Sequence, residues 1–102
     1  MSTAEFTIHS VVCRTHRLLR DRPEMFAVDK LHIKVAGLYY TESKRIVVSY
    51  RHDILSVLFH EVLHHFYPNW PETRILAAEK FIMDHISRRS AIKILKAFVS
   101  IL

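Results

Sequence analysis

Residues 60 to 64 read His60-Glu61-Val62-Leu63-His64, which is an HExxH motif. Two histidines four positions apart project from one face of an α-helix, with their Cβ atoms roughly 5–6 Å apart. That spacing lets both imidazoles reach one tetrahedral Zn²⁺ ion. The carboxylate of Glu61 would lie beside the metal, where it can act as a general base on water. The motif therefore predicts a zinc site with His60 and His64 as two of its ligands.

The flanking residues predict the helix that carries the motif. Asp53 is a favourable N-cap for a helix from Ile54 to about Phe66. Apolar residues at helical spacing form its expected buried face: Leu55, Leu58, Phe59, Val62 and Phe66. Pro71 is favourable at the first position of a following helix, which we expect to reach Ser87.

Three short segments predict strands. Residues 31–35 alternate apolar and polar side chains, residues 38–40 follow Gly37, which we expect at a bend or bulge, and residues 45–49 are rich in β-branched side chains. A polar turn at residues 41–44 separates the last two. Because the connections are too short for crossover helices, we expect a small, three-stranded, mainly antiparallel sheet.

The two ends of the chain predict further helices and complete an α+β fold. Residues 3–21 form an amphipathic pattern typical of an N-terminal helix, and residues 23–30 read as a connection. Residues 91–102 are strongly apolar and predict a last helix or tail. This tail could pack on the core, form a homodimer surface, or lie over the site and keep the protein latent.

Composition limits the possible partners. With 102 residues, half of them hydrophobic, the chain is expected to form one domain over residues 1–102. The single cysteine, Cys13, fits a reducing compartment. Since we find no signal-peptide pattern and no apolar stretch of about 20 residues, we expect a cytoplasmic monomer or homodimer without a membrane partner. The net charge is +5, but the basic residues are scattered, so a nucleic-acid partner is not predicted.

The third zinc ligand must come from outside the motif, because a catalytic zinc usually has three protein ligands and an open position. The following helix is its natural source. Glu79 interrupts an otherwise apolar stripe there and is the first candidate, since a carboxylate among apolar residues needs a compensating cation. Glu72 is the rival, although the helix dipole alone favours a carboxylate in a first turn. His85 would give a three-histidine site.

Other polar side chains have weaker claims on the site. Asp84 could orient a ligand histidine, and Tyr39, Tyr40 or Tyr67 could donate to a developing oxyanion. Each of them is also explained as an ordinary solvated or packing residue. His65 faces about 100° away from His64 on the helix and is not expected to be a ligand.

Residues 31–86 resemble the zincin metallopeptidases, with strands, an edge strand near residues 37–39, an HExxH helix and a second helix that carries a glutamate. The pattern is most similar to the gluzincin type, whose third ligand is a glutamate on the helix after the motif. At this length it resembles the single-domain minigluzincins and small phage and prokaryotic HExxH proteins. Two features depart from the larger gluzincins: the gap from His64 to Glu79 is shorter, and Met83 stands where they have an aspartate.

The resemblance implies a zinc-dependent metallopeptidase. A zinc-activated water would attack the peptide bond with Glu61 as general base, and the peptide would lie extended along the edge strand at residues 37–41. The alternative is a non-catalytic metal-binding or basic interaction module, which the small size and positive charge favour. Substitution of Glu61 separates the two, because a binding module does not need a base.

Overall fold

The computed structural model describes residues 6–29, 37–49 and 53–102. These residues form helices and strands in the order α1 (Ile8–Asp21), a 3₁₀ turn (Pro23–Met25), β1 (Phe26–Asp29), β2 (Gly37–Tyr40), β3 (Arg45–Ser49), α2 (Ile54–Phe66), α3 (Glu72–His85) and α4 (Arg88–Ser100). The predicted α+β class is confirmed. None of the helices in the described ranges has the length and apolar character that a membrane crossing requires.

Side-chain caps define where the helices begin. The carboxylate of Asp53 accepts a hydrogen bond from the Ser56 backbone N–H at 3.3 Å, which starts α2 at the predicted residue. Ser87 caps α4 in the same way, by accepting from the Ser90 N–H at 3.1 Å. Because Ser87 serves this cap, α3 ends at His85, two residues earlier than the sequence pattern predicts.

The sheet has β3 at its centre, in the order β1-β3-β2. β2 pairs with β3 in the antiparallel direction, with Leu38 opposite Val47. β1 pairs with β3 in the parallel direction, with Ala27 opposite Val47. Within the described residues the sheet is therefore three-stranded, as predicted, but it is mixed, with one antiparallel and one parallel pair instead of mainly antiparallel pairing.

Two segment predictions change with this topology. The expected connection at residues 23–30 is wrong, because Phe26–Asp29 forms β1; these four residues are too short to show a period-two pattern. The predicted strand at residues 31–35 lies outside the described residues. In the N-terminal helix, Thr7 acts as the N-cap, so α1 begins at Ile8, later than the pattern suggests.

The HExxH helix α2 lies at the centre of the molecule. It packs against β2 and β3 on one side and against α3 and α4 on others. Its residues Leu58, Phe59, Val62 and Leu63 are fully buried. The neighbouring elements contribute Ile46 and Val48 from β3, Ile75 and Ile82 from α3, and Ile94 and Phe98 from α4 to the same core. This packing fixes the face of α2 that carries the histidines.

Candidate metal centre

His60 and His64 face each other on one side of α2, as the motif predicts. Their Nε2 atoms are 3.3 Å apart. Two ligand atoms at about 2.1 Å from a tetrahedral zinc ion lie roughly 3.4 Å from each other. The two imidazoles therefore already have the separation that a shared tetrahedral ion requires.

Glu72, the first residue of α3, brings a carboxylate to the same point. One oxygen lies 3.1 Å from Nε2 of His60, and the other lies 2.9 Å from Nε2 of His64. One potential ligand atom from each of these three residues lies within 4.8 Å of the others. The side chain of Glu72 is 57% exposed, so no apolar packing accounts for its position.

Glu79 lies on the opposite edge of the His60 ring. Its Oε1 accepts a hydrogen bond from Nδ1 of His60 at 2.7 Å, and its Oε2 accepts one from the Ser56 hydroxyl. An ionised carboxylate can only accept, so Nδ1 carries a proton, and in the neutral ring of a metal ligand the lone pair is then on Nε2. Glu79 thus holds His60 in the tautomer that a metal ligand needs.

The structure therefore separates the two candidate carboxylates of α3. It brings Glu72 to the Nε2 atoms of both histidines and places Glu79, the first candidate from the sequence, on the Nδ1 side of His60. His85 is exposed and donates from Nδ1 to the Phe81 carbonyl at 2.9 Å, so it does not join the cluster. Asp84 likewise does not orient a histidine, since it pairs with Lys80.

Glu61 points from α2 toward β2 and is almost fully buried, with 6% of its surface exposed. Burial raises the pKa of Glu61 to about 7; the positive charge of His60 opposes this shift, and the negative charges of Glu72 and Glu79 add to it. A carboxylate that is buried beside a cluster of histidines has the position expected for a general base.

Gly37 makes room for Glu61. A Cβ atom at Gly37 would lie 2.5 Å from Cγ1 of Val57 and 3.0 Å from Oε2 of Glu61. The expected bend at Gly37 is wrong, because the residue starts the regular strand β2. Its role is instead the close approach of β2 to α2, which a glycine permits because it has no side chain.

Replacement of Gly37 with alanine should destabilise the protein by about 1–3 kcal/mol, because the new methyl group overpacks a filled contact. Chemical denaturation followed by circular dichroism measures this loss. Leu38→Ala is the matched control, since Leu38 is the next residue of β2 and has an exposed side chain. Equal stability of Gly37→Ala and the wild type would contradict the tight contact with Val57 and Glu61.

The buried charge of Glu61 gives a second stability prediction, for metal-free protein. Its pKa rises from 4.5 to about 7 on folding, so the wild type loses stability as the pH increases from about 4.5 to 7 and stays less stable above that. Glu61→Gln has no charge to bury and should be about 1–3 kcal/mol more stable than the wild type at pH 8, with a smaller gain at pH 5. Thermal or urea unfolding in chelator measures the difference.

Glu42→Gln is the control for this comparison, because Glu42 is exposed in the turn between β2 and β3. It should show little pH-dependent difference from the wild type. A gain for Glu61→Gln that does not grow between pH 5 and pH 8 would show that Glu61 is not held in a charge-disfavouring site.

Tyr39 and His65 form a pair beside the cluster. The Tyr39 hydroxyl and Nδ1 of His65 are 2.9 Å apart. Burial raises the pKa of Tyr39. Burial lowers the pKa of His65, and the positive charges of Lys44, Arg22 and Arg14 lower it further. Of the three tyrosines considered for oxyanion binding, only Tyr39 lines the cleft at the cluster, whereas Tyr67 accepts a hydrogen bond from Arg14.

A cleft of about 300 Å³ opens over the cluster. Its walls come from β2 and the turn after it, from α2 and from the start of α3: Gly37, Leu38, Tyr39, Thr41, His60, Glu61, His64 and Glu72. α4 contributes none of these residues and packs instead against α1 and α2. The apolar C-terminal stretch therefore forms a helix that packs on the core, and within the described residues it does not line the cleft. A homodimer surface stays a prediction.

Sequence reasoning missed the parts of this site that surround the ligands. Ser56 lies one helical turn before His60, and this four-residue spacing predicts that both side chains are on the same face of α2. Glu72 and Glu79 are seven residues apart, which places both on one face of α3, but the sequence carries no signal for which of them reaches Nε2.

Comparison of the chain with protein-family models, with curated proteins and with solved structures finds no match.

Proposed function

We propose that this protein is a zinc-dependent peptidase in which His60, His64 and Glu72 hold the metal and Glu61 is the general base. The observation that carries the proposal is the convergence of the two Nε2 atoms and the Glu72 carboxylate at separations of 2.9–3.3 Å, next to a buried carboxylate. This assignment keeps the ligand histidines and the base predicted from the motif and replaces Glu79 with Glu72.

The donor set fits zinc. Two imidazole nitrogens and a carboxylate oxygen form one of the standard three-ligand sets of catalytic zinc sites, with a fourth position left for water. In the neutral form of His60 that binds a metal, Nε2 and the Glu72 carboxylate both present lone pairs, and a cation between them removes their repulsion. Glu79 supplies the hydrogen bond that a ligand histidine commonly makes through its other ring nitrogen.

The roles of the chain's own residues follow from this arrangement. When bound, zinc would supply Lewis acidity toward a carbonyl and lower the pKa of water. Glu61 accepts a proton at its carboxylate and returns it to the leaving amine. That carboxylate lies against Gly37 of β2 and is almost fully buried, so it has little freedom to turn away.

The substrate we propose is an extended peptide segment. Gly37, Leu38 and Tyr39 of β2 line the cleft, and β2 pairs with β3 along its other edge. An extended chain can add to a strand edge through backbone hydrogen bonds, without a deep pocket. A cytoplasmic location remains a prediction from the sequence.

The proposal is tested by the metal content of untagged protein, followed by a peptidase assay on unstructured protein substrates. We expect about one zinc per chain and hydrolysis that stops in chelator and returns with added zinc. His60→Ala is the matched variant and should contain much less zinc, because it removes a ligand and His60 is not one of the core residues. Protein that binds no zinc, even after zinc is added back, would contradict the metal centre.

A non-catalytic metal-binding module is the second candidate. The observation that favours it is the small cleft, whose volume of about 300 Å³ is at the lower limit for small-molecule sites. One zinc per chain together with no hydrolysis of any peptide substrate would support this candidate.

A further inference from the structure

Glu72 has little local support for a residue that must hold a metal. Its side chain is largely exposed, and among the described residues the polar partners of its carboxylate are His60 and His64. It is the first residue of α3, and Pro71, which precedes it, gives no side-chain cap. The position of its carboxylate therefore depends on where the turn after α2 places the first turn of α3.

That turn is held by two stacked aromatic rings. The Trp70 N–H donates to the Tyr67 carbonyl at 3.1 Å, and the two side chains lie face to face, with ring centroids 4.0 Å apart and an angle of 8° between their planes. The Phe6 ring packs against both rings in an edge-to-face arrangement, with its centroid 6.3 Å from that of Tyr67 and 5.7 Å from that of Trp70.

Arginines from two helices cover this pair. The Arg74 guanidinium of α3 lies 4.0 Å from the centre of the Trp70 ring, and it must occupy the face that Tyr67 leaves open. Arg14 of α1 donates to the Tyr67 hydroxyl at 3.2 Å, and its guanidinium lies 4.1 Å from the centre of the Phe66 ring. Contacts thus run from α1 through the turn to α3.

Glu72 lies between two members of this stack in the sequence: Trp70 is two residues before it and Arg74 is two residues after it. We propose that Trp70, stacked between Tyr67 and Arg74, is a positioning residue that holds the first turn of α3 where the Glu72 carboxylate meets Nε2 of both histidines. This inference rests on the proposed zinc site and assigns a function to the aromatic turn, whose residues do not line the cleft.

Zinc affinity measured against a coloured chelator tests the inference in a double-mutant cycle. Trp70→Ala should weaken zinc binding by about 10–100-fold, the range for residues that orient a metal ligand. Trp70→Phe keeps a stacking ring and should stay close to the wild type. In protein that also carries Glu72→Ala, Trp70→Ala should change the affinity by no more than about twofold, because the ligand it positions is gone.

The cycle separates positioning from general loss of structure. If Trp70→Ala lowers the zinc affinity equally in the wild-type and Glu72→Ala backgrounds, Trp70 supports the whole fold. If Trp70→Ala leaves the zinc affinity unchanged, Trp70 does not position Glu72. Either result overturns the inference. If Trp70→Ala does not fold by circular dichroism, Arg74→Met takes its place in the cycle, because it removes the guanidinium and keeps an unbranched side chain. Absence of zinc in the wild type would overturn the metal centre and this inference together.

Discussion

Replacement of Glu61 with glutamine should lower peptidase activity by about 10²–10⁴-fold while the protein keeps its zinc. The amide has nearly the same size and shape as the carboxylate, so it fits the same space between α2 and Gly37. It cannot accept the proton that the reaction must remove. Since glutamine also avoids the cost of a buried charge, the loss of activity cannot result from a weaker fold.

Hydrolysis of a peptide by the wild type and Glu61→Gln, measured side by side with their zinc contents, gives the comparison. Glu42→Gln is the control, because it makes the same chemical change at an exposed turn and should keep full activity. Full activity in Glu61→Gln would exclude Glu61 as the base. Zinc loss in Glu61→Gln would instead indicate that its carboxylate supports the metal directly.

The second large effect concerns the two glutamates of α3. Glu72→Ala should weaken zinc binding more than Glu79→Ala does, because Glu72 lies at both Nε2 atoms, whereas Glu79 contacts His60 at Nδ1, away from the metal position. For Glu79→Ala we expect about a 10–100-fold loss, which is typical of a residue that orients a ligand histidine. The loss in Glu72→Ala should exceed that range, since a ligand is removed.

Competition titrations with a chelator measure both affinities, and Glu79→Gln sharpens the comparison. The glutamine can still accept a hydrogen bond from His60, so it should bind zinc better than Glu79→Ala. Glu72→Gln should bind zinc little better than Glu72→Ala, because an amide is a much poorer zinc ligand than a carboxylate. A larger loss in Glu79→Ala than in Glu72→Ala would restore Glu79 as the third ligand.

Local sequence patterns predicted the helical framework well. The bounds of α2 follow from Asp53 and the apolar spacing after it, and both are short-range features that act within one or two helical turns. β1 was missed because its four residues obtain their hydrogen bonds from β3, which lies about 20 residues further along the chain. A strand of that length has no local signature, and its pairing partner decides whether it forms.

The sequence by itself determined that two histidines and a glutamate share one helix, because the four-residue spacing of HExxH acts through the period of the helix alone. It also limited the candidates for the proposed third ligand to a few residues of the next helix. Because Glu72 and Glu79 lie on one face of α3, only the tertiary structure shows which of the two carboxylates lies beside the Nε2 atoms. The turn through Tyr67 and Trp70 determines which of them meets Nε2 and which meets Nδ1 of His60. That choice depends on distances between helices, which no local pattern encodes.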